Sequence, residues 1–167
     1  MTCLTNLEVT LASAAAAALW AVCALILVRV VRKNRFSGQP AFVLTLMAML
    51  WWLFTVAFDL ASQDEICKVG WSLAAWPGIT LLPIAWAFFA FDYTMNTSQG
   101  RQPIRLLLYI GLPCLVGTIA LTNSHTHLLY GTDTRLVTQG ADTFVIFDHG
   151  PLFFAVAAGL YFFVTSA

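Results

Sequence analysis

The sequence predicts an all-α fold: a polytopic α-helical membrane protein of about five transmembrane helices, with the N-terminus outside. Three observations predict it. Of 167 residues, 60% are hydrophobic and only 10% are charged, against roughly 25% charged in ordinary soluble domains. Long stretches carry no Asp, Glu, Lys or Arg at all: Val9–Val28, Pro40–Phe58, Val69–Phe91, Leu106–Thr122 and Pro151–Ala167. The remaining charges segregate into alternate loops. A hydrocarbon layer of about 30 Å takes about 20 apolar residues as helix. Backbone amides in that layer must bond internally, so the spans are helices.

Orientation follows from the cations. Arg29, Arg32, Lys33 and Arg35 follow the first span, and Arg101 and Arg105 follow the third. Only Lys68 and Arg135 fall on the other side. Lys and Arg in short loops mark the cytoplasmic face, which puts the N-terminus outside and makes the number of spans odd. A cleaved signal peptide would carry basic residues before its apolar run, yet Met1–Thr10 has none. The chain is therefore a single transmembrane domain over residues 1–167, multi-pass in the cell membrane, with spans over 9–31, 41–62, 70–92, 105–122 and 151–167. Its zero net charge offers no basic surface for nucleic acid. The lipid bilayer is its first partner.

Span one is Ala-rich over Ser13–Ala18, a composition that lets helix backbones approach. Pro40 suits the first turn of span two, where its missing N–H costs little. Trp51 and Trp52 follow, and the span ends near Asp59. Span three carries Pro77 and Pro83, each of which removes a backbone hydrogen bond and bends a helix. Pro113 sits with Gly111 and Gly117 in span four. Pro77, Pro83 and Pro113 are thus the bending candidates. The last outer loop, Asn123–Gly150, is the longest. Strand-like composition over Thr134–Thr138 and Thr143–Phe147, around Gln139-Gly140-Ala141-Asp142, predicts a small β-hairpin there.

No Gly-rich phosphate loop, paired metal-binding cysteines or nucleophile elbow is present; no catalytic residue, cofactor or metal site is expected, and the chain reads as a non-enzyme. Lys33 and Lys68 lie in loops, which sets retinal aside. Several residues are candidates for sensing. His125 and His127 would share a face if extended, and His titrates near neutrality, though loop histidines ordinarily serve as surface polar groups. Asp59 is an ionisable residue inside a span, or else a side chain that reaches the interface or pairs with Ser62. Trp76, Ile79, Pro83 and Trp86 recur at helical spacing, and Trp76 and Trp86 read either as packing or as a ligand wall. Cys3 and Cys67 both fall on the oxidising side, so the compartment allows a disulfide while two residues fix neither geometry nor pairing. Cys23 and Cys114 lie in spans as small apolar groups.

The order of motifs resembles the N-terminal seven-transmembrane input region of bacterial and archaeal sensor histidine kinases. The matching pieces are Trp51-Trp52, then Leu82-Pro83-Ile84-Ala85-Trp86-Ala87-Phe88-Phe89-Ala90-Phe91-Asp92-Tyr93-Thr94, then Leu112-Pro113. They continue with Leu121-Thr122-Asn123-Ser124-His125-Thr126-His127-Leu128-Leu129-Tyr130 and Gly150-Pro151-Leu152-Phe153-Phe154. The resemblance implies a sensory role, in which an outer or intramembrane signal changes helix packing and a cytoplasmic output domain responds. A homodimer or a cytoplasmic signalling partner is the expected company of such a module. Two of the seven helices and the output domain are missing here, so the chain is expected to be the front of a larger receptor or a shortened relative. A small transporter or channel subunit, or a non-catalytic assembly subunit, is the alternative reading; kinked spans and Asp59 would also suit a transport path.

Overall fold

The computed structural model describes residues 3, 7–33, 35–95, 102–139 and 142–165. Asn34, Arg101, Gly140-Ala141 and Ser166-Ala167, among the residues read in the sequence, lie outside the described residues. The described chain is mostly helical. It runs α1 (Leu11–Arg32), α2 (Gln39–Ala61), α3 (Glu65–Met95), α4 (Gln102–Leu106), a π-helical turn (Leu107–Gly111), α5 (Leu112–Leu121), the one-turn α6 (Asn123–Thr126), β1 (Arg135–Gln139), β2 (Asp142–Ile146) and α7 (Pro151–Thr165).

Four helical stretches are long and apolar enough to cross a bilayer: Leu11–Arg32, Gln39–Ala61, Glu65–Met95 and Pro103–Leu121. A shorter apolar helix covers Pro151–Phe162. Their apolar residues are not confined to one stripe. Leu19, Val22, Leu25 and Ile26 of α1 are all exposed, as are Met47 and Trp51 of α2 and Leu107 and Leu115 on the fourth stretch. A helix that is apolar all round and still largely exposed needs a nonpolar solvent.

Helix ends explain the element boundaries. Thr10 and Ser13 form a reciprocal capping box at the start of α1. Gly38 starts α2 at φ 79°, and any Cβ there would lie 3.0 Å from Phe89 Cδ2 and 3.1 Å from the Phe89 carbonyl oxygen, so glycine answers both demands. The helix α3 starts at Glu65, several residues before the apolar run, because Lys68 N already bonds the Asp64 carbonyl at 2.9 Å. Lys68, expected in a loop, is therefore in the first turn of α3, where it is buried. Its Nζ donates to the Asp59 carbonyl at 3.0 Å and so ties the start of α3 to the end of α2.

The longest helix, α3, continues through both Pro77 and Pro83 and touches α2, the π turn, α5, α7 and β2. Against α2 the approach is tight at Gly78, where a Cβ would meet Trp51 Cδ1 at 2.9 Å and the Ala48 carbonyl oxygen at 3.0 Å. Trp51 Nε1 donates across the same seam to the Ala74 carbonyl at 2.8 Å. Polar side chains in the apolar layer bond their own helix: Thr45 to the Ala41 carbonyl, Thr55 to Trp52 and Thr80 to Trp76. No water is needed to satisfy them. The fourth stretch is not one regular helix. Pro113 has no N–H for a carbonyl four residues back, and the wide π turn over Leu107–Gly111 accommodates the missing bond just before it.

The strands β1 and β2 pair antiparallel, with Arg135 opposite Ile146 and Gln139 opposite Asp142. The pairing extends past the hairpin through Gly131 N to the Asp148 carbonyl, Gly150 N to Leu129 and Leu152 N to Leu128. A Cβ on Gly150 would run into the Leu128 carbonyl, which explains glycine at the entry to α7. Two ends of the bundle result. One carries the hairpin, α6 and the start of α3. The other carries Arg29, Arg32, Arg35 and Arg105, the α1–α2 turn and the end of α3.

Candidate signal-sensing site

At the hairpin end the side chains converge on Tyr130. The segment that delivers it is shaped by Asn123, the first residue of α6. Asn123 Oδ1 accepts from Leu129 N at 2.9 Å and Tyr130 N at 3.1 Å, and its Nδ2 donates to the Tyr130 carbonyl at 3.1 Å. One buried amide thus mimics a strand edge for a segment that has left the helix. His127, at φ 49°, supplies the left-handed residue that lets the chain reverse.

The Tyr130 hydroxyl lies 2.9 Å from Ser72 Oγ and accepts from Trp76 Nε1 at 3.2 Å. Both partners are on α3. Its ring packs on Phe147 with centroids 4.5 Å apart, while Trp76 meets Phe153 of α7 edge-on at 5.6 Å and His149 lies 3.9 Å from Phe153. Trp76, Val116, Ala120, Leu129 and Tyr130 form the buried cluster beneath. Burial pushes the Tyr130 phenol above its ordinary range, against the opposing pull of its Ser72 and Trp76 hydrogen bonds. It therefore stays an uncharged hydroxyl at neutral pH, suited to a hydrogen-bonded joint and not to an acid–base role.

The sequence-picked residues scatter around this centre. Trp76 is inside it, 3% exposed, whereas Trp86 is 42% exposed and packs on Phe89. Ten residues of helix rise separate them, about 15 Å, so they do not form one wall. His125 and His127 are exposed beside the cluster, and among the described residues no three of His, Cys, Asp and Glu gather to hold a metal ion. Asp59 is half-buried at the same end, and its backbone carbonyl accepts from Lys68 Nζ. Cys3 and Cys67 are joined as a disulfide in the structure, with their Cα atoms 5.5 Å apart. Pro83 is buried in α3. Pro77 and Pro113 line an apolar groove of about 560 Å³ between α2, α3 and α5, together with Trp51, Leu73, Gly117 and Thr118. Gly117 makes room for the Pro77 ring, since a Cβ there would sit 3.2 Å from Pro77 Cγ.

A second polar centre closes the opposite end. Arg105 grips Asp92 through two bonds of 2.7 Å, Nη1 to Oδ2 and Nη2 to Oδ1. The side chains are only 15% and 7% exposed. The guanidinium also lies 4.8 Å from the Phe88 ring centroid. Ser37 Oγ, in the α1–α2 turn, donates to the Asp92 carbonyl at 2.7 Å. Three elements therefore meet at one residue of α3. Sequence reasoning missed this pair because Asp92 and Arg105 read as opposite shores of a polar loop. It also missed the role of Tyr130 and Asn123, although both stand in the Leu121–Tyr130 motif.

Exposed apolar helices joined by buried polar contacts at both ends define a polytopic membrane module. Residues 11–167 match the family described as the N-terminal 7TM region of histidine kinase, and the chain belongs to that family. The region is a transmembrane, sensory and non-catalytic one. Neither the curated proteins nor the solved structures compared with it hold a significant match.

Proposed function

We propose that this chain is the input module of a histidine-kinase-type receptor in the cell membrane, detecting a signal from outside or from within the bilayer and passing it to a cytoplasmic output domain. In this reading five helices span the membrane, the N-terminus and the hairpin lie outside, and the arginine end faces the cytoplasm. The observation that carries it is the Tyr130 joint. One hydroxyl couples the hairpin segment to Ser72 and Trp76 of α3, and the same helix carries Asp92 some 24 Å further along, by helix rise. A ligand that favours one position of the hairpin or of α3 over another shifts the whole module in proportion to its unequal affinity for the two. The exposed His125 and His127 would meet a signal in the outer solution. The groove beside Pro77 and Gly117 would meet an apolar one.

The test joins the chain to a histidine kinase output domain and follows autophosphorylation in membranes. Tyr130→Phe removes the hydroxyl shared with Ser72 and Trp76, a loss of roughly 1–3 kcal/mol where a buried partner is left unpaired. Basal or stimulated output is expected to change at unaltered membrane level. Output identical to the parent would remove Tyr130 from the signalling path. Flux of a solute through vesicles holding this protein alone would instead favour transport.

A further inference from the structure

Arg29, Arg32, Lys33 and Arg35 stand within seven residues at the end of α1 and in the turn that follows, and all four side chains are exposed. Among the described residues none of these four side chains has a hydrogen bond or ion pair. The one carboxylate described at this end, Asp92, is held by Arg105. Glu8, Asp59, Asp64, Glu65, Asp133 and Asp148 all belong to the hairpin end. Four like charges crowded at a helix terminus repel one another, and among the described residues no free carboxylate at this end neutralises them.

A depression of about 690 Å³ opens among these residues. Arg35, Ser37 and Gln39 give it polar walls, while Val31, Pro40 and Val43 give it apolar ones that continue onto α1 and α2. Its shape is set in advance. Gln39 Nε2 donates to the Val30 carbonyl at 2.8 Å, Ser37 is bonded to Asp92, and Phe42 packs on Phe89 with centroids 4.8 Å apart. Gly38 opens α2 without a side-chain cap, so the positive pole of that helix adds to the cationic field.

We propose that the α1–α2 turn binds the phosphate headgroup of an anionic phospholipid, with an acyl chain lying along Val31 and Val43. Charge complementarity selects the anion, since guanidinium groups grip phosphate oxygens in pairs. The apolar walls select a lipid, because a soluble phosphate would leave Val31, Pro40 and Val43 uncovered. Each cation near an anionic lipid surface contributes about fivefold in affinity, and the contribution is screened by salt.

Native mass spectrometry tests this on the full chain in mild detergent, offered equal amounts of phosphatidylglycerol and phosphatidylcholine. Phosphatidylglycerol is expected to be retained preferentially, less so as salt rises. Arg32→Gln together with Arg35→Gln should weaken retention about thirty-fold, and Lys33→Gln alone about fivefold. These side chains are exposed, so the melting midpoint should not move. Arg135→Gln, at the hairpin end, should leave retention as it was. Equal retention of the two lipids, or a preference that survives both basic-turn variants, overturns the proposal. Complete displacement of the lipid by inorganic phosphate would overturn the lipid assignment in favour of a soluble anion. None of these outcomes depends on whether the module signals.

Discussion

Asp92 shows how much one side chain can hold in an apolar setting. Its carboxylate takes both arms of Arg105 and its carbonyl takes Ser37. Breaking one side of a buried ion pair strands the other charge, at a cost of roughly 3–5 kcal/mol. Asp92→Asn is therefore expected to lower the thermal midpoint in detergent clearly, and exchanging the two residues (Asp92→Arg with Arg105→Asp) should recover part of the loss. A midpoint unchanged by Asp92→Asn would mean that the pair is solvated and contributes little. The pair was not legible in the sequence. Thirteen residues separate the partners, and no local spacing rule links a helix end to the helix after the next loop. Asn123 was hidden for a similar reason: an amide that bonds three backbone groups of a reversing segment looks in sequence like any other loop asparagine.

Among the elements, α3 is the one with the most neighbours: α2, the π turn, α5, α7 and β2. Its contact with α2 depends on Gly78, where added bulk would strike the Ala48 carbonyl and the Trp51 ring. Overpacking of this kind costs about 1–3 kcal/mol, so Gly78→Val should lower stability and disturb the Trp51–Ala74 hydrogen bond. A fluorescence spectrum and melting curve equal to the parent's would refute it. Pro83 makes the opposite prediction. It is buried in a helix that continues through it, and it denies a hydrogen bond to a carbonyl one turn back. Pro83→Ala restores that bond and stiffens α3, and is expected to change kinase output in a fused receptor more than it changes membrane insertion. Reduced insertion with unaltered output per inserted molecule would show that Pro83 serves assembly alone. The prolines announced irregular helices in the sequence. Where the irregularity would fall, as a π turn before Pro113 and an unbroken α3 through Pro77 and Pro83, depended on what packs alongside.

For the whole molecule, the disulfide between Cys3 and Cys67 straps the N-terminal segment across the start of α3, bridging 64 residues. Glu8 N bonds the Ala61 carbonyl at 2.8 Å beside it. A link over a loop of this size restrains an unfolded soluble chain by about 4 kcal/mol. Helices that remain inserted keep much of that restraint without the link, so reduction is expected to cost about half as much. The melting midpoint in mild detergent should fall with reductant, and a Cys3→Ser variant should show the lower midpoint and no further response. Equal midpoints with and without reductant would show the strap to be idle.

Taken alone, the sequence determined the class of this protein. Uncharged stretches of span length leave helices in a bilayer as the only way to satisfy the backbone, and the ordered motifs were enough to point to the sensory family. The strand-like composition around Gln139 and Asp142 announced the two-stranded sheet, because alternation and turn residues act over a few neighbours. Tertiary structure alone decided which polar groups work together. Membrane helices offer few hydrogen-bonding side chains, and each of these pairs with whatever the packing brings near. That is how Tyr130 came to Ser72 and Trp76, Asp92 to Arg105, and Lys68 to the end of α2, while Trp86, His125 and His127 were left at the surface.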